Sequence, residues 1–273
     1  MTDNKKTCVI YKNDLKFNDI DLTMSEFNSE NTREIYNNYK SKPKILLRIK
    51  DSEIENYEYL DLSKLELTDE LLEKLFELKK IQTILKKIKF LDLSNNRLSK
   101  FPSINLYKNI MYLSISYNSI EENIDINNIL ELSCEYNKIK SIKSNSITKL
   151  SAANNQIDQI DIPNIKVLII NNNKINYIPS YTNLEYLECM ENKIISIDNM
   201  YNLEELYISN NKLEILEYLP KIKIINCINN PIDKIKYFPN LNILMCSTIK
   251  VSSQYKISNI SKIKKDYLIH FDN

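Results

Sequence analysis

Leu168-Ile169-Ile170-Asn171-Asn172-Asn173-Lys174-Ile175-Asn176-Tyr177-Ile178 is one copy of a pattern that fills most of the chain. With Ile165 in front it reads apolar-x-x-Leu-x-apolar-x-x-Asn-x-Ile-x-x-Ile. Numbered from that first residue, further copies begin at Ile88, Ile110, Ile129, Ile147, Leu184, Leu203 and Ile222. The fourth position falls at Leu91, Leu113, Leu132, Leu150, Leu168, Leu187 and Leu206, and Ile225 continues the column. The steps run from 18 to 22 residues. A fixed period near 20 residues marks a solenoid.

Each position has a physical reading. The fourth and sixth residues point inward from a short strand, because alternate side chains share a face. The eleventh and fourteenth, such as Ile139 and Ile142, close the core from the other side. Position seventeen is often apolar as well: Tyr181, Met200, Leu219 and Phe238. One coil cannot bury so many apolar residues alone, and stacking buries them. The ninth position is Asn in eight successive copies: Asn96, Asn118, Asn137, Asn155, Asn173, Asn192, Asn211 and Asn230. A buried amide has two donors and two acceptor lone pairs to satisfy, and turn backbone supplies the partners. Asn172, one position away from the column, is expected to tolerate alanine almost silently.

Leu91-Asp-Leu93-Ser-Asn-Asn96-Arg-Leu98 and Leu206-Tyr-Ile208-Ser-Asn-Asn211-Lys-Leu213 resemble the leucine-rich repeat family, whose core segment runs L-x-x-L-x-L-x-x-N-x-L. The resemblance covers roughly residues 57 to 251. It implies an α/β-type repeat solenoid with a parallel sheet on the concave face, and binding of proteins or peptides through that face. The period of 18 or 19 residues is short for the family, so the convex side is expected to be extended rather than helical. Strands pack about 4.8 Å apart and helices about 8–10 Å, so the array is expected to be flatter than a helix-backed horseshoe.

The ends depart from the pattern. Residues 1–56 form an expected N-terminal cap region. Within it Cys8-Val9-Ile10-Tyr11 reads as a short strand, Thr23 to Tyr39 as a polar helix, and Ile45 to Ile49 as a capping strand. Tyr57 to Leu67 is a degenerate first copy, with Leu65 at the Asn position. After it Thr68-Asp69-Glu70 reads as a helix start, with a hydroxyl cap and acids in the first turn. Leu71, Leu72, Leu75, Phe76, Leu78 and Leu85 then recur at helical spacing up to Lys86. Residues 57–251 thus make about ten coils. Ile249 takes the ninth position in the last copy and ends the Asn column. Residues 252–273, with Ile257, Ile260, Ile263 and Tyr267 at helical spacing, read as a helical C-terminal cap.

Composition narrows the function. The 37 basic and 36 acidic side chains nearly cancel, so no global field steers the protein to nucleic acid or lipid. No glycine is present, which removes glycine-rich phosphate loops. It also leaves Asn and Asp as the expected occupants of left-handed positions. The abundance of Asn, Ile and Lys fits an AT-rich genome. The start lacks a long apolar run and no stretch is long enough to span a bilayer, so a cytoplasmic monomer is expected. Cys134, Cys189, Cys227 and Cys246 share the sixth position and read as buried, reduced hydrophobes. With one histidine, His270, a metal site has no ligand cluster, and no cofactor is expected. No catalytic constellation is visible, so the chain is read as a non-enzyme.

Two surfaces carry functional readings. On the concave positions of the second half, Ile169, Tyr186, Met190, Tyr207, Ile224, Ile228 and Met245 are expected to form an apolar patch that binds a protein or peptide partner. The C-terminal tail folding over this patch is the structural alternative. The second surface is a basic rim at position ten: Arg97, Lys138, Lys174, Lys193 and Lys212. It would suit an architectural or nucleic-acid-associated module. Nearby Glu121, Asp158, Glu214 and Asp233 oppose it, and nucleic acid is the less favoured partner.

Overall fold

The computed structural model describes residues 7–9, 58–104, 107–232, 234–235, 238–247, 249–251 and 269–271. Thr23 to Tyr39, Ile45 to Ile49 and Ile257 to Tyr267 lie outside these, and with them three of the expected cap elements. The fold is a solenoid of short parallel strands with few helices. It divides into two compact units. One comprises Met1–Ile120 with Leu132–Cys134, and the other Glu121–Glu131 with Glu135–Asn273.

In the first unit, face strands Tyr59–Asp61, Phe90–Asp92 and Tyr112–Ser114 pair in parallel, with Leu60, Leu91 and Leu113 in register. Thr7–Val9 pairs beside Tyr59–Asp61, so the N-terminal segment read as a short strand does extend the sheet. The long first coil carries two helices on its outer side, α1 (Asp69–Glu77) and α2 (Lys79–Leu85). Thr68 caps α1 by accepting from the Leu71 N–H at 3.3 Å. Apolar spacing alone predicts one helix up to Lys86, and the chain instead breaks at Leu78, whose ψ is 123°. The reason lies in the apolar spacing. Ile81 stands nine residues after Leu72, about two and a half turns, so an unbroken helix would aim the two in opposite directions. With the break, Leu72, Leu75 and Phe76 are buried, and so are Ile81, Ile84 and Leu85.

The second unit is more regular. Face strands Lys149–Ser151, Val167–Ile169, Tyr186–Glu188, Glu205–Tyr207, Ile224–Asn226 and Ile243–Met245 pair in parallel with one fixed register. Leu150, Leu168, Leu187, Leu206, Ile225 and Leu244 form the inner column, and all six are buried. Sixth and eleventh positions are buried too, as are Tyr181, Met200, Leu219 and Phe238 at position seventeen, while Ile160 at position fourteen is half-buried. The outer side is extended, as its short period requires. Ile124–Asp125, Ser141–Lys143 and Gln159–Asp161 make one back sheet, and Tyr177–Ile178 and Ser196–Ile197 another. Lys234–Ile235, Ile249–Val251 and Ile269–Phe271 make a third.

One sequence expectation changes here. Spacing puts Val251 at position eleven of the last copy, two residues after Ile249, but it pairs with Ile235, a position-fourteen residue. The last coil is therefore shorter than the others, and Ile249 belongs to a back strand rather than to the bend. The tail residues read as helical, Ile257 to Tyr267, lie outside the described residues, and Ile269–Phe271 after them forms a strand.

Candidate functional site

The asparagine column explains how the coils hold their bends. Asn173 Oδ1 accepts the Ile157 N–H at 2.9 Å, and its Nδ2 donates to Ala152 O at 2.9 Å and Ile170 O at 3.1 Å. The amide thus satisfies backbone of its own coil and of the coil before. Asn192, Asn211 and Asn230 repeat the set, accepting from Ile175, Ile194 and Leu213 N–H at 2.9 to 3.0 Å. Asn96 accepts from both Leu65 and Leu67 N–H, and Asn118 and Asn155 accept from Leu98 and Ile139. Asn137 donates to Glu135 O at 3.2 Å.

The residue before each of these asparagines is left-handed: Asn95, Tyr117, Tyr136, Asn154, Asn172, Glu191, Asn210 and Asn229 all have φ between 51° and 58°. Asn was expected there, but two tyrosines and a glutamate share the post, and Lys64 and Glu66 are left-handed in the first coil. The turn is imposed by backbone pairing. The Asn172 N–H donates to Met190 O at 2.8 Å, and the Glu191 and Asn210 N–H groups do the same one coil on. Side chains add to it: Asn172 Nδ2 donates to Asn154 Oδ1 at 2.7 Å, and Asn229 Nδ2 to Asn210 Oδ1 at 2.8 Å. The expectation that Asn172 tolerates alanine silently is therefore corrected, because alanine would have to adopt the left-handed turn and lose that bond.

On the open face of the second unit, the residues singled out from the sequence fall on adjacent strands. Tyr186, Glu205, Ile224 and Ile243 form one row in register, and Ile169, Glu188, Tyr207, Asn226 and Met245 form the next. Met190 and Ile228 lie just past their strands. Ile169, Tyr186, Met190, Tyr207, Ile224, Ile228 and Met245 are all half-buried, so each shows only part of its apolar surface. The Tyr186 and Tyr207 rings lie diagonally, with centroids 5.7 Å apart. Their hydroxyls donate to Glu188 and Glu205, the latter at 3.0 Å. Burial, then these carboxylates, push both phenols above their ordinary range, so they remain neutral donors. Glu188 also accepts from Asn171 Nδ2 at 2.9 Å, and Asn171 Oδ1 accepts the Met190 N–H at 2.8 Å. The apolar patch thus has an acidic, hydrogen-bonded centre that the sequence reading did not foresee. Alternation of Tyr and Glu along neighbouring strands was the available signal.

A second aromatic row lies on the open face of the first unit. Tyr59, Phe90 and Tyr112 are in register, with Phe90 and Tyr112 stacked at 4.1 Å. Tyr59 Oη donates to Asp92 at 3.3 Å, and burial raises the neighbouring Asp61 carboxyl. The basic rim residues are exposed, and two of the five are ion-paired: Arg97 meets Glu66 at 3.2 Å and Lys138 meets Glu121 at 2.6 Å. Lys174 donates to Gln156 at 3.3 Å, and Lys193 and Lys212 are exposed. Among the described residues no group of three His, Cys, Asp or Glu is placed to hold a metal ion. Among them, too, no helix is long and apolar enough to cross a membrane.

The sequence pattern of the family described as Leucine Rich Repeat matches residues 87–108 and 202–222. Two of the coils match the leucine-rich repeat pattern. Similar solved structures agree on the fold. One is the LRIM1/APL1C complex, 20% identical with a TM-score of 0.57 over 74% of this chain and 45% of that one. Another is the TLR13–ssRNA13 complex, 18% identical with a TM-score of 0.55 over 71% of this chain and 36% of that one. The leucine-rich repeat domain of APL1B is 17% identical, with a TM-score of 0.57 over 81% of each chain. The chain spans less than half the length of the first two. No curated protein sequence matches it. Leucine-rich repeat proteins are typically interaction modules rather than enzymes.

Proposed function

We propose that this protein is a non-enzymatic scaffold that binds a protein or peptide through the open face of its second unit. The observation that supports this is the in-register grouping of Ile169, Tyr186, Tyr207, Ile224 and Met245 on adjacent strands, with Met190 and Ile228 at its edge. Tyrosine and methionine favour interfaces because they bury much area and adapt their contacts. The Glu188 and Glu205 carboxylates beside them add hydrogen-bond acceptors, which suits a partner segment carrying donors among its apolar residues. The alternative of tail coverage falls on residues that lie outside the described ones, apart from Ile269–Phe271 on the back. The nucleic-acid reading has less support, because the rim is partly neutralised by Glu66 and Glu121.

The test is affinity capture with the parent protein, Tyr207→Ala and Met190→Ala side by side, with melting curves for each. Binding through this face predicts that the variants keep their melting temperature within a few degrees and lose the captured partner. Retention of every partner by both variants would remove this face as the site.

A further inference from the structure

On the open face of the second unit, two tyrosines and two glutamates form a checkerboard. Tyr186 lies beside Glu205, and Glu188 beside Tyr207, in register on neighbouring strands. Their four Cα positions mark a rectangle about 4.8 Å across the strands and about 6.6 Å along them. The tyrosines hold one diagonal, with ring centroids 5.7 Å apart and planes at 42°. The carboxylates hold the other. All four side chains are half-buried. Ile169 flanks Glu188 on one side, and Ile224 flanks Glu205 on the other. Acids close by have cations: Glu131 meets Lys149 at 3.6 Å and Glu204 meets Lys223 at 2.6 Å. Glu188 and Glu205 differ. Among the described residues they are held by neutral donors alone, Tyr186 Oη and Asn171 Nδ2 for the first and Tyr207 Oη for the second. An ionised carboxylate offers about four lone-pair sites, so both keep acceptors to spare.

We propose, resting on the open-face reading above, that this checkerboard receives an arginine of the bound partner, laid against the Tyr186 and Tyr207 rings and hydrogen-bonded to Glu188 and Glu205. Three features favour that side chain. Two carboxylates held only by neutral donors set the sign of the partner group, since charge complementarity selects a cation. They are half-buried, so the attraction is screened less than between fully exposed charges. The layout then selects guanidinium over ammonium. A flat fork with five donors can reach both corners of a diagonal at once, whereas an ammonium is a compact point charge. The rings add to this, because aromatic faces attract cations and arginine stacks on them. Ile169 and Ile224 beside the acids take apolar neighbours of that arginine. The occupant is therefore a segment with one arginine set among apolar side chains.

The probes are three pools of bead-bound nonapeptides with the same varied apolar and small polar flanks. They differ only at the central residue, which is arginine, lysine or citrulline, the uncharged isostere of arginine. Fluorescein-labelled full chain is titrated onto each. Saturable binding to the arginine pool is expected, at least about tenfold tighter than to the citrulline pool, with lysine between them. The double variant Glu188→Gln, Glu205→Gln should bind the arginine pool no better than the citrulline pool, and should bind the citrulline pool like the parent. Glutamine keeps an acceptor oxygen for each phenol, so this variant should melt with the parent. If it melts early, Glu205→Gln alone makes the same comparison. Equal affinity for arginine and citrulline, with both lost in Tyr207→Ala, would overturn the arginine site and leave the open face standing as a docking surface. Lysine binding as tightly as arginine would overturn the guanidinium assignment. No saturable binding to the arginine pool would overturn the inference, and binding indifferent to Tyr207→Ala would overturn it together with the open-face reading.

Discussion

At the scale of single residues, two neighbouring asparagines do different jobs. Asn173 is buried and fills its amide with backbone partners, so Asn173→Ala should cost about 1–3 kcal/mol by leaving turn groups unpaired. Asn172 is exposed with φ at 53°, so Asn172→Ala should cost about 1 kcal/mol through its left-handed Cβ, while Asn172→Gly should not. Denaturant melts of the three variants check both; equal costs for the alanine and glycine variants at 172 would remove the backbone explanation. The sixth-position thiols give a pH signature. Burial pushes Cys246 from 9.0 up to about 11, and raises Cys189 and Cys227 as well. An unfolded thiol ionises from about pH 8.5, before the folded one does. The thiol contribution to stability is therefore whole below that pH and is lost as pH rises through 11. Melting temperature should fall across this window, and Cys246→Val should flatten part of the slope.

At the scale of elements, the strands were legible because their period is strict, and the helices were legible only in part. Leu at position four and Asn at position nine fix both the inward face and the bend, so every face strand from Tyr59 to Met245 follows from spacing alone. The break at Leu78 was harder to see, because Leu72, Phe76, Ile81 and Leu85 all look helical and only their relative angle betrays two axes. If both helices bury their apolar sides, Phe76→Ala should cost about 3–5 kcal/mol and Ile81→Ala about 2–5. A near-neutral result for either would place that side chain on an exposed face. The left-handed tyrosines and the Tyr–Glu hydrogen bonds on the open face depend on neighbouring coils, and a single coil's sequence does not carry that information. The candidate patch was legible as composition, not as chemistry: its residues were named, its acidic centre was not.

At the scale of the whole chain, stability is a sum over coils and the contacts between neighbours. Circular dichroism should accordingly show strand, with helix confined to α1 and α2 among the described residues. The asparagine bonds add a consequence for heredity. Asn192 takes its partners at Ile170 O and Ile175 N–H, and Asn211 takes the same kinds of partner one coil later, at Cys189 O and Ile194 N–H. Excising residues 184–202 would bring Asn211 to the groups that Asn192 now serves, and no buried amide would be stranded. Such a deletion should give a soluble, cooperatively melting protein, while a deletion of half that length should not. Genes that gain or lose DNA in whole periods would therefore pass through folded intermediates at every step, so that array length can drift between lineages while the coil itself is held fixed.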